Sequence, residues 1–157
     1  MDSPHIKTAT LADLDIIAEL FDAYRQFYEQ ASDKSAAKNF IKQRLHNNES
    51  IILLAQDNNK NALGFCQLYP TFCSVIAAPI YILSDLFVTP AARRTGAGKK
   101  LLLAAEALAK QQGIARLDLT TAKTNLTAQT LYESLGWQRD RVFIAYNKTV
   151  ESFYYNR

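Results

Sequence analysis

The chain has 157 residues, 48% of them hydrophobic and 21% charged, which predicts one globular domain over residues 1–157 rather than a disordered or fibrous chain. Its net charge of +3, with acids and bases interspersed, is too small to indicate a nucleic-acid-binding surface. Two cysteines, Cys66 and Cys73, are too few for a disulfide framework or a structural zinc site, so no metal is expected.

The N-terminal residues carry neither a basic leader nor an apolar core of the kind found in signal peptides. The most apolar window, Val75 to Leu83, is far shorter than a bilayer crossing and is interrupted by Pro79. We therefore expect a cytoplasmic protein with reduced cysteines and no membrane partner.

The first quarter of the chain predicts a strand and two helices. His5 to Thr8 is a short strand candidate, and Thr10 to Asp13 has the pattern of a capping box at a helix start. Apolar residues then recur at three- and four-residue steps from Leu14 to Tyr28, which is typical of one helix face. Ser32 or Ser35 is the expected cap of the second helix.

The middle of the chain predicts a hairpin, a further strand and a third helix. Ile51 to Ala55 and Ala62 to Tyr69 flank a polar turn and should pair antiparallel. Ile80 to Val88 follows as a strand, and a helix is expected from Gly98 to a stop at Gly113.

The last part predicts a strand, a helix and a closing strand. Ile114 to Leu119 has the apolar side chains of a strand buried on both faces. Leu126 to Leu135 is the fourth helix, and Val142 to Val150 the last strand. The resulting order predicts an α/β (α+β) fold with a mixed sheet and helices on its faces.

The segment Arg93-Arg94-Thr95-Gly96-Ala97-Gly98-Lys99-Lys100, between a strand and a helix, has two glycines, four cations and no acid. This composition suits a phosphate, because glycines let it approach backbone N–H groups at the positive end of the helix dipole. A Walker A loop is not matched, since it would need glycine at Arg93 and Ser or Thr at Lys100. A dinucleotide fingerprint would need glycine at Leu101.

Two motifs together carry a family resemblance. Arg93-x-x-Gly96-x-Gly98 resembles the acyl-coenzyme-A loop of the GCN5-related N-acetyltransferase (GNAT) family. The run from Asn125 to Trp137, NLTAQTLYESLGW, is similar to that family's N-x-x-A-x-x-L-Y-x-x-x-G-[FW] segment. The resemblance implies a mixed, mostly antiparallel sheet of about six to seven strands flanked by four helices, and acetyl-CoA as acetyl donor.

The resemblance also implies where the cofactor binds. The pantetheine arm would add to the strand before the loop, where a backbone N–H near Leu86 would polarise the thioester carbonyl. Asn125 would bind this arm, although it could equally be the N-cap of its helix. The expected cofactor-binding residues are Leu86, Phe87, Val88, Arg93, Arg94, Thr95, Gly96, Ala97, Gly98, Lys99, Asn125, Ala128 and Tyr132.

Two side chains are candidates for proton transfer. The Tyr132 hydroxyl, with an ordinary pKa of about 10 against about 8.5 for a thiol, can protonate the departing thiolate. The alternative is a tyrosine that only packs against the cofactor. Asp85 is the candidate base for the amine, or else a structural carboxylate bonded to backbone.

The acceptor is expected to be a primary amine of a small molecule, amino acid or peptide. Candidate acceptor residues are Tyr24, Tyr28, Glu29 and Tyr69, unless the tyrosines of the first helix belong to its core stripe. The alternative function is a non-catalytic acyl-CoA sensor. Family resemblance and a tail from Glu151 to Arg157 with three aromatic residues suggest a homodimer.

Overall fold

The computed structural model describes residues 3–151, so the aromatic part of the tail lies outside the described residues. The chain divides into two compact units, Met1–Leu119 and Thr120–Arg157. That residues 1–157 form one domain stays a prediction. No helix within the described range is long and apolar enough to cross a lipid bilayer.

The first unit contains a five-stranded sheet in the order β1-β2-β3-β4-β5, antiparallel except where β4 and β5 run parallel. Short 3-10 segments precede α1 and α3. The second unit contains α4. The elements are β1 (His5–Thr8), α1 (Leu14–Phe27), α2 (Lys34–His46), β2 (Ile51–Gln56), β3 (Ala62–Cys73), β4 (Ala78–Val88), α3 (Ala97–Gln111), β5 (Leu117–Asp118) and α4 (Leu126–Ser134).

The core of the first unit lies on both faces of the sheet. On one face, α1 and α2 pack against alternate strand residues, among them Ile52, Phe65 and Phe87. Side chains alternate across a strand, so Leu53 and Cys66 point to the other face. There α3, whose apolar stripe is buried around Leu101, contacts β2, β3 and β4. The predicted apolar face of α1 is confirmed at Ile17, Leu20 and Phe21, whereas Tyr28 at its end is exposed.

The predicted helix starts are confirmed in one case and wrong in the other. The capping box over Thr10–Asp13 is present. The second helix is capped by Asp33, whose carboxylate accepts a first-turn N–H at 3.0 Å, and not by Ser32 or Ser35. The Ser32 hydroxyl instead donates to buried Asp22 at 2.7 Å, so it ties the loop between the helices to α1.

The strand count is lower than predicted. The sheet has five strands, not six to seven, and Val142–Val150 forms no strand in the structure as described. The predicted strand Ile114–Leu119 is reduced to the two residues of β5, which are half-buried rather than buried on both faces. Strand propensity needs a partner ladder, and β5 ends the sheet with a ladder of only two residue pairs.

Strands β3 and β4 approach each other most closely at Gly64. A Cβ atom there would lie 2.4 Å from the Phe87 carbonyl oxygen and 3.1 Å from Val88 Cα. These atoms are backbone atoms of the paired strand, so they cannot move aside as a flexible side chain could. Only glycine fits, and its fit fixes the end of β4 against β3.

Gly64→Ala should therefore lower the free energy of unfolding by about 1–3 kcal/mol, the usual cost of forcing extra volume into a packed site. Gly98→Ala is the matched control: Gly98 lies in the first turn of α3, where alanine is at least as favourable as glycine. Urea denaturation followed by circular dichroism measures both. Equal stability of the two variants would contradict the conclusion that only glycine fits between β3 and β4 at position 64.

Candidate active site

The pairing of β3 with β4 changes register in the middle of the sheet. Gln67 lies opposite Asp85, but the next residue, Leu68, lies opposite Leu83. Ser84 is the extra residue of a β-bulge, which bends a strand and redirects its side chains. The sequence left the orientation of Asp85 open; the structure places its side chain in the interior, 8% exposed.

A chain of buried polar groups ends at Asp85. The Ser50 hydroxyl donates to Gln67 Oε1 at 2.7 Å, and Gln67 Nε2 donates to Asp85 Oδ2 at 2.6 Å. Gln67 is fully buried, and Ser50 is 8% exposed. From α1, the Tyr24 hydroxyl donates to the Ser84 carbonyl at 3.3 Å and also hydrogen-bonds the Asp85 carboxylate.

Burial controls protonation in this region. Desolvation raises the pKa of the Asp85 carboxyl above its ordinary value, while the hydrogen bonds from Gln67 and Tyr24 oppose that rise. Burial, reinforced by the Asp85 charge, raises the pKa of Tyr69 to about 12. The arrangement suits a carboxylate that takes up a proton more readily than an exposed one.

The candidate acceptor residues of α1 lie at its C-terminal end. Tyr24 packs edge-on against Phe65, with ring centroids 5.8 Å apart, and belongs partly to the core. Tyr28 packs edge-on against Tyr24 at 5.1 Å but is 46% exposed. Glu29 is exposed and follows the helix with a left-handed backbone, φ 65°. The structure therefore places Tyr24 next to Asp85, and Tyr28 packs against Tyr24.

Beyond the short ladder with β5, the outer edge of β4 has no paired strand among the residues that the structure describes. β5 pairs only with Tyr81 and Ile82, whereas β4 continues to Val88. Leu86 and Val88 are half-buried, and Phe87 is buried in the α1–α2 core. The backbone on this side of residues 83–88 is positioned to pair with an extended ligand.

The loop after β4 presents two arginines to solvent. Arg93 Nε approaches the Val88 carbonyl at 3.4 Å, and its guanidinium lies 5.9 Å from the centre of the Phe27 ring. Arg94 is exposed and has a left-handed backbone, φ 69°. Lys100, in contrast, turns away from the loop and donates to the Pro4 carbonyl at 3.1 Å. The cations available to a ligand here are therefore Arg93, Arg94 and Lys99.

The start of α3 fits an anionic group. Gly96 has φ +87°, and a Cβ atom placed on it would meet no atom of residues 3–151 within 4 Å, so these residues leave the space above the loop open. The Thr95 hydroxyl donates to the loop carbonyl of residue 92 at 2.6 Å and accepts the Ala97 N–H at 3.3 Å. Gly98 and Lys99 follow in the first turn, whose N–H groups have no intrahelical acceptor.

The remaining predicted site residues belong to the second unit. Asn125 caps α4, because its Oδ1 accepts the Ala128 N–H at 3.2 Å. Tyr132 lies in α4 with its ring 6.1 Å from that of Trp137. The N-cap interpretation of Asn125 is thus confirmed, while the proposed roles of Ala128 and Tyr132 toward a cofactor stay predictions.

Sequence reasoning missed Gln67 and Ser50 as site residues. One signal was available: Gln67 is an uncharged polar residue inside the apolar strand segment LGFCQLY. Alternation along β3 could not show that it faces Asp85, because the bulge at Ser84 sets that register. Ser50 stands just before β2 and carries no signal at all.

Comparison with known proteins gives consistent results. The model of the Acetyltransferase (GNAT) family matches residues 16–137. A relative described as an uncharacterized N-acetyltransferase of Bacillus subtilis (strain 168), YhfO, is 49% identical over 142 residues, which are 90% of this chain and 95% of the relative.

Two solved structures show the fold. A probable acetyltransferase superposes with a TM-score of 0.89 at 37% identity, covering 94% of this chain and 98% of the other. An aminoglycoside N-acetyltransferase in complex with CoA gives a TM-score of 0.78 at 18% identity, over 94% of this chain and 96% of the other. At that identity the second likeness concerns the fold alone.

Proposed function

Because the chain belongs to the GNAT family of acetyltransferases, we propose that it transfers an acetyl group from acetyl-CoA directly to a primary amine of a small molecule, amino acid or peptide. One observation carries the proposal. The unpaired outer edge of β4 runs straight into a glycine loop and the first turn of α3, with Asp85 buried on the same strand.

The residues that would hold acetyl-CoA supply three kinds of contact. Backbone groups of residues 86–88 would pair with the amides of the pantetheine arm, as an added strand does. The N–H groups of Gly98 and Lys99 would bind the pyrophosphate, and Arg93 and Arg94 would add charge-assisted bonds. Carried over from the family motif, Asn125 would bind the arm through Nδ2, the amide atom that the helix cap does not use.

Bound acetyl-CoA supplies the thioester whose acetyl carbon is transferred. Asp85 would take a proton from the acceptor ammonium, directly or through water, so that the free amine can attack that carbon. An N–H near Leu86 would stabilise the negative oxygen that develops during attack. As the carbon–nitrogen bond forms and the carbon–sulfur bond breaks, Tyr132 would donate its hydroxyl proton to the leaving thiolate.

The proposed acceptor region combines aromatic and acidic groups. Tyr24 and Tyr28 would offer ring faces to an ammonium group, and Glu29 a carboxylate. Tyr69, which stays neutral because burial raises its pKa to about 12, would contribute a hydroxyl without a charge. This chemistry favours an amine that is protonated in solution and loses its proton at Asp85.

A homodimer is part of the same proposal. Val142, Phe143 and Tyr146 are 82%, 77% and 88% exposed, which is unusual for large apolar side chains on a monomer. Contact with a second copy of the chain would remove this surface from water. The oligomeric state measured by sedimentation decides this part independently of catalysis.

Thiol release from acetyl-CoA, measured against polyamines, L- and D-amino acids, aminoglycosides and lysine peptides, tests the proposed reaction. We expect release that depends on one acceptor class, with the acetylated amine confirmed by mass spectrometry. Tight CoA binding without acceptor-dependent release would favour the acyl-CoA sensor, and absence of CoA binding would contradict both functions.

Gly98→Glu should abolish CoA binding. The new carboxylate would occupy the start of α3 and repel the pyrophosphate, while an acid in the first turn favours the helix itself. Ala107→Glu, at an exposed position of the same helix, is the control and should bind CoA normally. Isothermal titration calorimetry measures both; full CoA affinity in folded Gly98→Glu would rule out this phosphate site.

Tyr132→Phe should lower kcat by about 10²–10⁴-fold, the usual contribution of a positioned general acid, and leave the affinity for CoA unchanged. Steady-state kinetics and calorimetry on the same preparation separate the two effects. Unchanged turnover with an unchanged pH profile would mean that the proton comes from another group.

A further inference from the structure

We propose that Gln67, oriented by Ser50, is the positioning residue that keeps the Asp85 carboxylate ionised and fixed in place, so that it can act as a base at neutral pH. The inference rests on the proposed function, in which Asp85 takes the proton from the acceptor amine. It concerns two residues that touch neither acceptor nor cofactor in that mechanism.

The direction of the hydrogen bonds follows from the chemistry of the three groups. An ionised carboxylate can only accept, so the amide of Gln67 must turn its Nε2 toward Asp85 Oδ2, at 2.6 Å. Its Oε1 then needs a donor, and the Ser50 hydroxyl supplies one at 2.7 Å. The carboxylate thus sets the amide orientation, and Ser50 holds the amide in it by satisfying Oε1.

Burial makes this donor important. Gln67 is fully buried and Asp85 is 8% exposed, so little water can solvate the Oδ2 side of the charge. A hydrogen bond to the charged form replaces part of that lost hydration. Gln67 donates to Oδ2, so the uptake of the substrate proton is assigned to the other carboxylate oxygen, Oδ1.

Among the described residues, no other group identified around Asp85 stabilises the ionised carboxylate through an opposite charge. Tyr24 faces it from α1, Ser84 adjoins it on β4, and Tyr69 and Cys66 of β3 feel its charge. All four side chains are uncharged in the physiological range; burial raises the pKa of Tyr69 and of Cys66 to about 12. Hydrogen bonding, rather than an ion pair, therefore offsets part of the cost of burying the carboxylate.

The test replaces the amide by an apolar chain of equal length. In Gln67→Met, a hydrogen bond to a charged group is lost, so the acid limb of the kcat/KM profile should move up by about one pH unit or more. At pH values below both acid limbs, the variant should be about tenfold less active than the wild type for each pH unit by which its limb has moved. Gln56→Met, at the end of β2 where the amide donates to the Lys60 carbonyl, is the control and should not shift.

Ser50 provides a graded second pair. Ser50→Ala should move the acid limb in the same direction by a smaller amount, because the amide keeps its place but loses the bond that orients it. Ser50→Thr, which retains the hydroxyl, should restore the original profile. This pair decides the matter if Gln67→Met does not fold.

A titration of the Asp85 carboxyl by infrared difference spectroscopy makes the result independent of catalysis, with Asp85→Asn identifying the band. An upward shift in Gln67→Met or Ser50→Ala supports the inference even if no acetyl transfer is found. Wild-type titration behaviour in both folded variants would overturn it, whatever the fate of the proposed reaction.

Discussion

The hydrogen bond from Gln67 to Asp85 joins the two central strands at the point where their register changes. On one side of it, Gly64 brings β4 close to β3, and on the other side β4 carries the bulge at Ser84. A carboxylate would be expensive to bury here without a donor, and a bulge leaves backbone groups unpaired. The Gln67 amide therefore stabilises the buried carboxylate at the position of the bulge.

Strand β4 uses its side chains and its backbone edge for two different purposes. The side chain of Asp85 lies under α1 beside Tyr24, which is the surface proposed for the acceptor amine. The edge of the backbone from residue 83 onward is unpaired in the described structure and leads to the loop at Gly96. One element can thus present a base on its face and a binding edge along its side, with no rearrangement of the sheet.

The sequence was sufficient for those parts of the fold that depend on local patterns. The capping box at Thr10, the apolar periodicity of α1 and α3 and the hairpin of β2 with β3 all follow from short-range rules. Two motifs also identified the family, which the comparisons confirm, while the phosphate-binding role of the loop stays a prediction. Both depend on residue type and spacing, which are properties of the sequence itself.

Other features depend on what a residue meets in space. The predicted strand Val142–Val150 has suitable residues but no partner in the described structure. The cap of α2 is Asp33, while the neighbouring Ser32 hydroxyl donates to Asp22 on α1. The pairing of Gln67 with Asp85 depends on the register across a bulge. Such outcomes are decided by competition between long-range contacts, which residue patterns do not encode.

The central claim is that β4 and the start of α3 together bind an acyl-CoA. The most direct measurement is the titration of ¹⁵N-labelled protein with CoA, followed by amide chemical shifts. The account predicts saturable shifts that are largest at Gly96, Gly98 and Lys99 and along residues 86–88. Saturable binding that leaves these amides unmoved, or no binding at all, would contradict it.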